Sequence, residues 1–245
     1  MITASMNKVE INQQMWKVAE ESSVVKACTQ KFFKSCRKLP KGRVVMTRKF
    51  FHKDTNQSYI LCMSQYEGVQ GCILLAEVDH GKQKWYYVIS EDLTDTTDAY
   101  SAHFFKRYAE REGIPFVMPN IITRFFMENR NVVKIYESEK DRQIAYASRN
   151  GVTLCRWDRE RGVTKHCTYV SRDMLGDNQE EALQTIQGDI DQIEGIQRNF
   201  TPNYKATGKD VVRHMHENRA WTDSTDKSSE IACAIYKQFF EDLDD

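Results

Sequence analysis

Residues 132–171, VVKIYESEKDRQIAYASRNGVTLCRWDRERGVTKHCTYVS, carry the pattern that decides the fold class. Four runs within it, VVKIYES, RQIAYASR, VTLCRWD and KHCTYVS, alternate apolar and polar side chains at period two, as strands with one face on a core do. SEKD, Asn150-Gly151 and RERG separate them, and charged or Asn-Gly sequences of this kind close tight turns. The segment therefore reads as a four-stranded antiparallel meander.

Upstream of the meander, the spacing predicts two helices, over residues 99–112 and over Pro119–Asn129, the second burying Ile121, Ile122, Phe125 and Phe126. Ahead of these, EDLTDTTD, residues 91–98, reads as a polar loop running into a helix N-cap. Two hairpins precede it: RVVMTRKFF with SYILCMSQY around HKDTNQ, then CILLAEV with KWYYVIS around Asp79, His80 and Gly81. Residues 22–37 place Val24, Val25, Cys28, Phe32, Phe33 and Cys36 on one helical face. Beyond Asp173 the period returns to helical, with Leu183, Ile186, Ile190 and Ile193 at 3-4-3 spacing, and residues 208–219 and 228–243 read as further helices. The expected fold class is α+β: helices packed on sheets that are antiparallel throughout. The expected division is a body over residues 1–172 and an acidic helical extension, residues 173–245, packed on it.

Composition supports a folded chain. Its 12 Phe, 11 Tyr and 4 Trp are too many for a disordered chain, and its 11 Gly and 4 Pro too few for a linker or a collagen. Lys plus Arg number 35 and Asp plus Glu 35 in 245 residues, for a net charge of zero. That neutrality is a sum of unlike parts: residues 1–95 carry +4, residues 96–172 carry +5 and residues 173–245 carry −9. A basic body beside an acidic extension leaves a polyanion open as a partner, and equally a basic protein for the acidic helices. The seven cysteines are scattered, odd in number and never in Cys-x-x-Cys spacing, which points to reduced thiols, to no zinc site and to the cytoplasm. No run reaches the roughly 20 apolar residues that a membrane-spanning helix needs, so no membrane partner is expected.

Chemistry concentrates in AYSAHFFKRYAEREG, residues 99–113, where His103, Arg107 and Arg111 recur every four residues. At 100° per residue they form a stripe along one border of the face made by Phe104, Phe105 and Tyr108. Such a stripe lies at the rim of a groove. Two guanidiniums offer planar forks for phosphate oxygens, and an imidazole exchanges a proton near neutral pH. Ser101 is placed to cap the helix, which puts His103 in the first turn, where the helix dipole attracts anions and lowers an imidazole's pKa. Solvated helices also carry such pairs, and a histidine beside an apolar face is often structural.

Elsewhere, His166 lies on the last strand and alternation groups it with Thr164, Thr168 and Val170. His214 and His216 are two apart on a helix, which turns them some 200° from one another and prevents a shared metal. Trp85, Tyr86 and Tyr87 beside Lys82 and Lys84 are either packing residues or a stacking platform for bases. Nucleotide-triphosphatase, α/β-hydrolase and zincin motifs are missing from the sequence.

The order His-x-x-x-Arg-x-x-x-Arg, then Gly113-Ile114, a second helix and an antiparallel meander resembles the RelE-like and barnase-like metal-independent endoribonucleases, in particular small toxin-like members. The resemblance covers residues 99–172. It implies phosphodiester cleavage without a metal or cofactor, with His103, Arg107 and Arg111 in the catalytic set. It extends more weakly to Thr168 and Tyr169 as the groups that orient or protonate, and to Arg149 and Ser171 as substrate contacts; His166, outside the resemblance, is a further candidate substrate contact or second acid or base, against a strand-edge histidine with a structural role. The chain is more than twice the length usual for such toxins, and the β-rich segment before residue 99 and the acidic extension lie outside their pattern. Two functions are thus expected to compete: binding or cleavage of RNA, and a noncatalytic module that docks proteins through the His/Arg helix or the acidic helices.

Overall fold

The computed structural model describes residues 1–67, 69–81, 83–88, 97–129 and 132–176, together with Leu183, Gln184, Gln187, Gly188, Ile190 and Asp191. Within them the chain runs α1 (Lys8–Glu21), α2 (Ser23–Lys38), β1 (Val44–His52), β2 (Gln57–Tyr66), β3 (Val69–His80), β4 (Gln83–Val88) and β5 (Thr97–Ser101). It continues through α3 (Ala102–Arg111), α4 (Asn120–Glu128), β6 (Val132–Ser138), β7 (Gln143–Ser148), β8 (Gly151–Asp158), β9 (Val163–Ser171) and a short 3₁₀ turn, Arg172–Met174. The α+β class is as expected, and the predicted hairpins and meander all form.

The described strands build one sheet in the order β1-β2-β3-β4-β5-β9-β8-β7-β6. It is mixed, which corrects the expectation of antiparallel pairing throughout: β5 and β9 run parallel, with Thr97 opposite Val163 and Tyr100 opposite His166. The chain leaves β5, passes through two helices and three strands, and returns alongside β5, a connection long enough for parallel pairing. Residues 97 and 98, expected in a loop, belong to β5, so α3 starts at Ala102. Their polarity misleads because the strand is internal and its polar groups are bonded: Asn12 Nδ2 donates to Thr97 Oγ1 at 3.0 Å. A further difference is α1, which the sequence reading lacks although Asn7 and Glu10 form a full capping box ahead of Ile11, Met15 and Val18.

Alternation along the strands divides the core between the two faces of the sheet. Leu61, Met63, Ala76, Tyr87 and Ala99 pack beneath α1 and α2. Ile60, Cys62, Leu75, Tyr86 and Tyr100 pack beneath α3 and α4. On the α1–α2 side, but at the far end of the sheet, Val133, Ile135, Leu154 and Val170 cluster with Leu183 and Ile190. The two ends of this face are therefore covered by different parts of the chain, and the strip between them carries polar and basic side chains.

β9 contains one residue more than its partner at a bulge, where Leu154 pairs with Thr168 but Cys155 pairs with His166. The bulge overturns the expected grouping of His166 with Val170. His166 stacks on Tyr100 under α3, whereas Val170 joins the cluster on the opposite face.

Candidate functional site: an open strip of sheet flanked by the His/Arg helix

Helix α3 forms where the sequence places it. Ser101 Oγ accepts from the Phe104 amide at 3.0 Å, and Phe104, Phe105, Tyr108 and Ala109 are buried. Burying a side chain the size of Phe104 or Phe105 contributes about 1.5–3 kcal/mol, which fixes the helix's rotation on the sheet. His103 and Arg111 are left half-buried on its border, and Arg107 is exposed.

The register explains why a cleft opens beside them. β5 ends at Ser101, opposite Trp85, while β4 begins two residues further out at Gln83 and β9 continues past His166. Among the described residues no strand lies between β4 and the second half of β9, and the first turn of α3 borders the gap. The resulting cleft, of about 930 Å³, has a floor of Gln83 and Trp85 from β4, Ser101, Lys165 and Cys167 from β9, Arg156 from β8 and Gln143 from β7. His103 and Arg107 form one wall, and the turn residues Arg142 and Glu160, with Trp157 and Asp158 from the end of β8, lie at another side. Arg156 pairs in register with both Lys165 and Gln143, so these basic and polar side chains share one face of the sheet.

Electrostatics in the cleft lean positive. Arg107, Arg142, Arg156 and Lys165 face Asp141, Asp158 and Glu160, and Asp158 is already held by Lys165 at 2.9 Å and by Arg161 at 3.8 Å. The indole N–H of Trp157 is buried and has no hydrogen-bond partner among the described residues, while Arg159 lies 5.4 Å from its ring centroid. His103 Nε2 accepts from Arg107 Nε at 3.2 Å, which places the imidazole proton on Nδ1. Burial, then the charges of Arg107 and Lys106, lower the pKa of His103, so the ring is neutral at pH 7. Arg107 also donates to Glu110 at 3.2 Å.

The stripe's third member faces elsewhere. Arg111 lines a second cleft, of about 530 Å³, with Glu112, Arg149, Asn150, Ser171, Arg172, Asp173, Gln187 and Asp191. Its guanidinium donates to Thr168 Oγ1 at 3.2 Å. Arg111, Arg149 and Ser171 thus share one cleft, with Thr168 behind them, while His103 and Arg107 share the other. Four residues of α3, about 6 Å of rise, join the two.

Tyr169 and His166 line neither cleft. Tyr169 is wholly buried against Tyr108 and Phe125; burial, and then the charge of neighbouring Glu112, hold its hydroxyl far above the usual range. His166 lies beneath α3, with Nε2 2.9 Å from Asp98 Oδ1, Nδ1 3.3 Å from Cys155 Sγ and Tyr100 stacked at 3.9 Å. Of the aromatic run 85–87, Tyr86 and Tyr87 are core residues and Trp85 reaches the cleft. His214 and His216, the helices expected over 208–219 and 228–243, and Ile186 and Ile193 lie outside the described residues.

The sequence reading missed Arg142, Arg156, Lys165 and Trp157. For Arg156 and Lys165 the signal was present as basic residues on a strand face that ought to be apolar, but only the pairing of β9 with β5 reveals that this face is central in the sheet. Among the described residues no helix is long and apolar enough to cross a membrane, and no group of three or more His, Cys, Asp or Glu could hold a metal. Comparison with protein-family models, curated proteins and solved structures finds no match to this chain.

Proposed function

We propose that this protein binds single-stranded RNA along the open strip of its sheet, with α3 as the wall that holds the phosphates. The observation that carries the reading is the floor of the larger cleft, where a central stretch of sheet has Lys165 and Arg156 in register beside Trp85, with His103 and Arg107 above them. Backbone-binding cations next to an aromatic face are what an unpaired strand requires: the cations meet phosphates, and a base stacks on the ring for about 1–3 kcal/mol.

Cleavage is the second reading, and the neutral state of His103 favours it. When a phosphate draws Arg107 away, Nε2 is released and can take the proton of a ribose 2′-hydroxyl as that oxygen attacks phosphorus; the P–O5′ bond breaks, leaving a 2′,3′-cyclic phosphate, and the departing 5′-oxygen takes a proton from water. Arg107 then stabilises the charge that accumulates on the phosphate oxygens. Tyr169 has no part in this scheme, being buried away from the His103 cleft. General base help of this kind contributes about 10²- to 10⁴-fold.

Ultraviolet crosslinking of a uridine-rich 12-mer RNA to the full-length protein, followed by peptide mapping, tests the binding reading. Crosslinks at Trp85 and Trp157 are expected; crosslinks confined to the α1–α2 surface would contradict it. For cleavage, the RNA should be cut in the presence of EDTA and spared by His103→Gln.

A further inference from the structure

We infer that the second cleft, at the end of α3, is a phosphate site and that Asp191 of the acidic segment competes for it with the phosphate of a bound nucleic acid. This inference rests on the RNA reading for the owner of that phosphate, and it adds a regulation which that reading lacks.

Three guanidiniums from three separate elements meet in this cleft: Arg111 from α3, Arg149 from the β7–β8 turn and Arg172 from the turn after β9. Like charges gathered from distant parts of a chain repel one another unless an anion lies among them. Burial, and then the charge of Arg107 one turn back on α3, lower the pKa of Arg111. Among the described residues, one anion in this cleft is the Asp191 carboxylate, which accepts from Arg149 Nη2 at 2.5 Å and from Gln187 Nε2 at 3.1 Å.

The position of Asp191 is set by something other than this ion pair. Leu183 and Ile190 are buried in the sheet-face cluster with Val133, Ile135, Leu154 and Val170, and that apolar docking delivers the neighbouring carboxylate to the cleft. The ion pair itself is open to solvent, with side-chain exposures of 43% for Arg149 and 58% for Asp191. Exposed pairs contribute little, so a phosphate that accepts a bidentate guanidinium fork can displace this one.

The other two carboxylates in the cleft are less opposed to a phosphate than their formal charge suggests. Asp173 is engaged by the Ser171 hydroxyl. Glu112 is pushed toward its protonated form by burial, then by Glu128 and Asp173. The neighbouring Tyr169 hydroxyl opposes that shift at Glu112, whereas Gln187 Oε1 is a buried acceptor with no hydrogen-bond partner among the described residues. A buried acceptor without a donor suits a ligand that brings hydroxyls, which a ribose does.

Full-length protein carrying Asp191→Asn, Arg149→Ala or both would be titrated with a fluorescein-labelled 12-mer of uridine, followed by anisotropy. A parallel titration with inorganic phosphate would be followed by NMR of the arginine Nε–Hε groups. Asp191→Asn should bind both probes about two- to fivefold more tightly, the factor expected from removing an exposed ion pair, and the gain should vanish in the double variant. Unchanged or weaker binding of both probes by Asp191→Asn overturns the inference. RNA bound through the larger cleft with no response of Arg149 to phosphate also overturns it, and leaves the RNA reading intact. A gain for phosphate with no RNA binding in any variant keeps the anion site, but overturns both the competition with nucleic acid and the RNA reading.

Discussion

At the scale of single residues, the tightest constraint is Gly151. A Cβ built there would lie 2.2 Å from the Val170 carbonyl oxygen and 2.8 Å from the Tyr169 hydroxyl. The glycine of the Asn-Gly turn is therefore required by close approach of β8 to β9. Gly151→Ala should lower stability by about 1–3 kcal/mol, read as a fall in the denaturant midpoint; an unchanged midpoint would mean that β9 can shift at no cost. His103 gives a pH prediction with a definite sign. Its pKa lies below the ordinary 6.5, so in the free protein it becomes cationic only in acid. A phosphate favours the cation, so RNA affinity should rise as pH falls from 7 toward 5, and the slope should flatten in His103→Gln. For the fold alone the sign is reversed: the unfolded chain takes this proton first, so His103 withdraws stability as pH drops below 6.5. The stripe was legible in the sequence because helical geometry alone fixes the angles between His103, Arg107 and Arg111. The facing of His166 was not, since one extra residue in β9 turns it over.

Among the elements, α3 depends on its cap. Ser101→Ala removes the acceptor of the Phe104 amide and should cost about 1 kcal/mol in thermal or chemical unfolding; Ser101→Asp should retain most of that stability. If both variants match the parent, the cap is not what starts the helix. β5 shows why polarity misled the sequence reading. Thr97 is fully buried and bonded to Asn12, while Asp98 faces His166, so a strand at the centre of the sheet carries residues that in isolation suggest a loop. The partners lie more than 60 residues away in the chain, and no local pattern announces them. α1 is the opposite case. Its capping box and its Ile11, Met15, Val18 spacing were fully present in the sequence, and the element could have been read there.

For the whole molecule, the decisive feature is that β5 joins two antiparallel halves into one sheet. Amides of β5 and β9 should therefore exchange only with global unfolding, and those of the edge strands β1 and β6 by smaller openings; early exchange of β5 would mean that the halves separate. The sheet's α1–α2 face is covered at one end by two helices and at the other by Leu183 and Ile190, and the basic strip is what lies between. Removing residues 173–245 would strip the apolar cluster as well as the acidic charge, so point variants separate the two effects where truncation does not. Charge asymmetry between body and extension was visible in the sequence, whereas the division of the His/Arg stripe between two clefts required the strand order. The central claim is that this strip holds an RNA backbone, and the salt dependence of binding tests it most directly. Anisotropy of a labelled uridine 12-mer, measured from 25 to 200 mM salt, should give a log–log slope near −2 to −3 for the parent chain, on about 0.7 per phosphate neutralised in a single strand. Arg107→Ala with Arg156→Ala should weaken binding and make that slope shallower by about one unit or more. Binding whose slope is the same in the double variant, or no binding by the folded parent at 25 mM salt, would contradict the account.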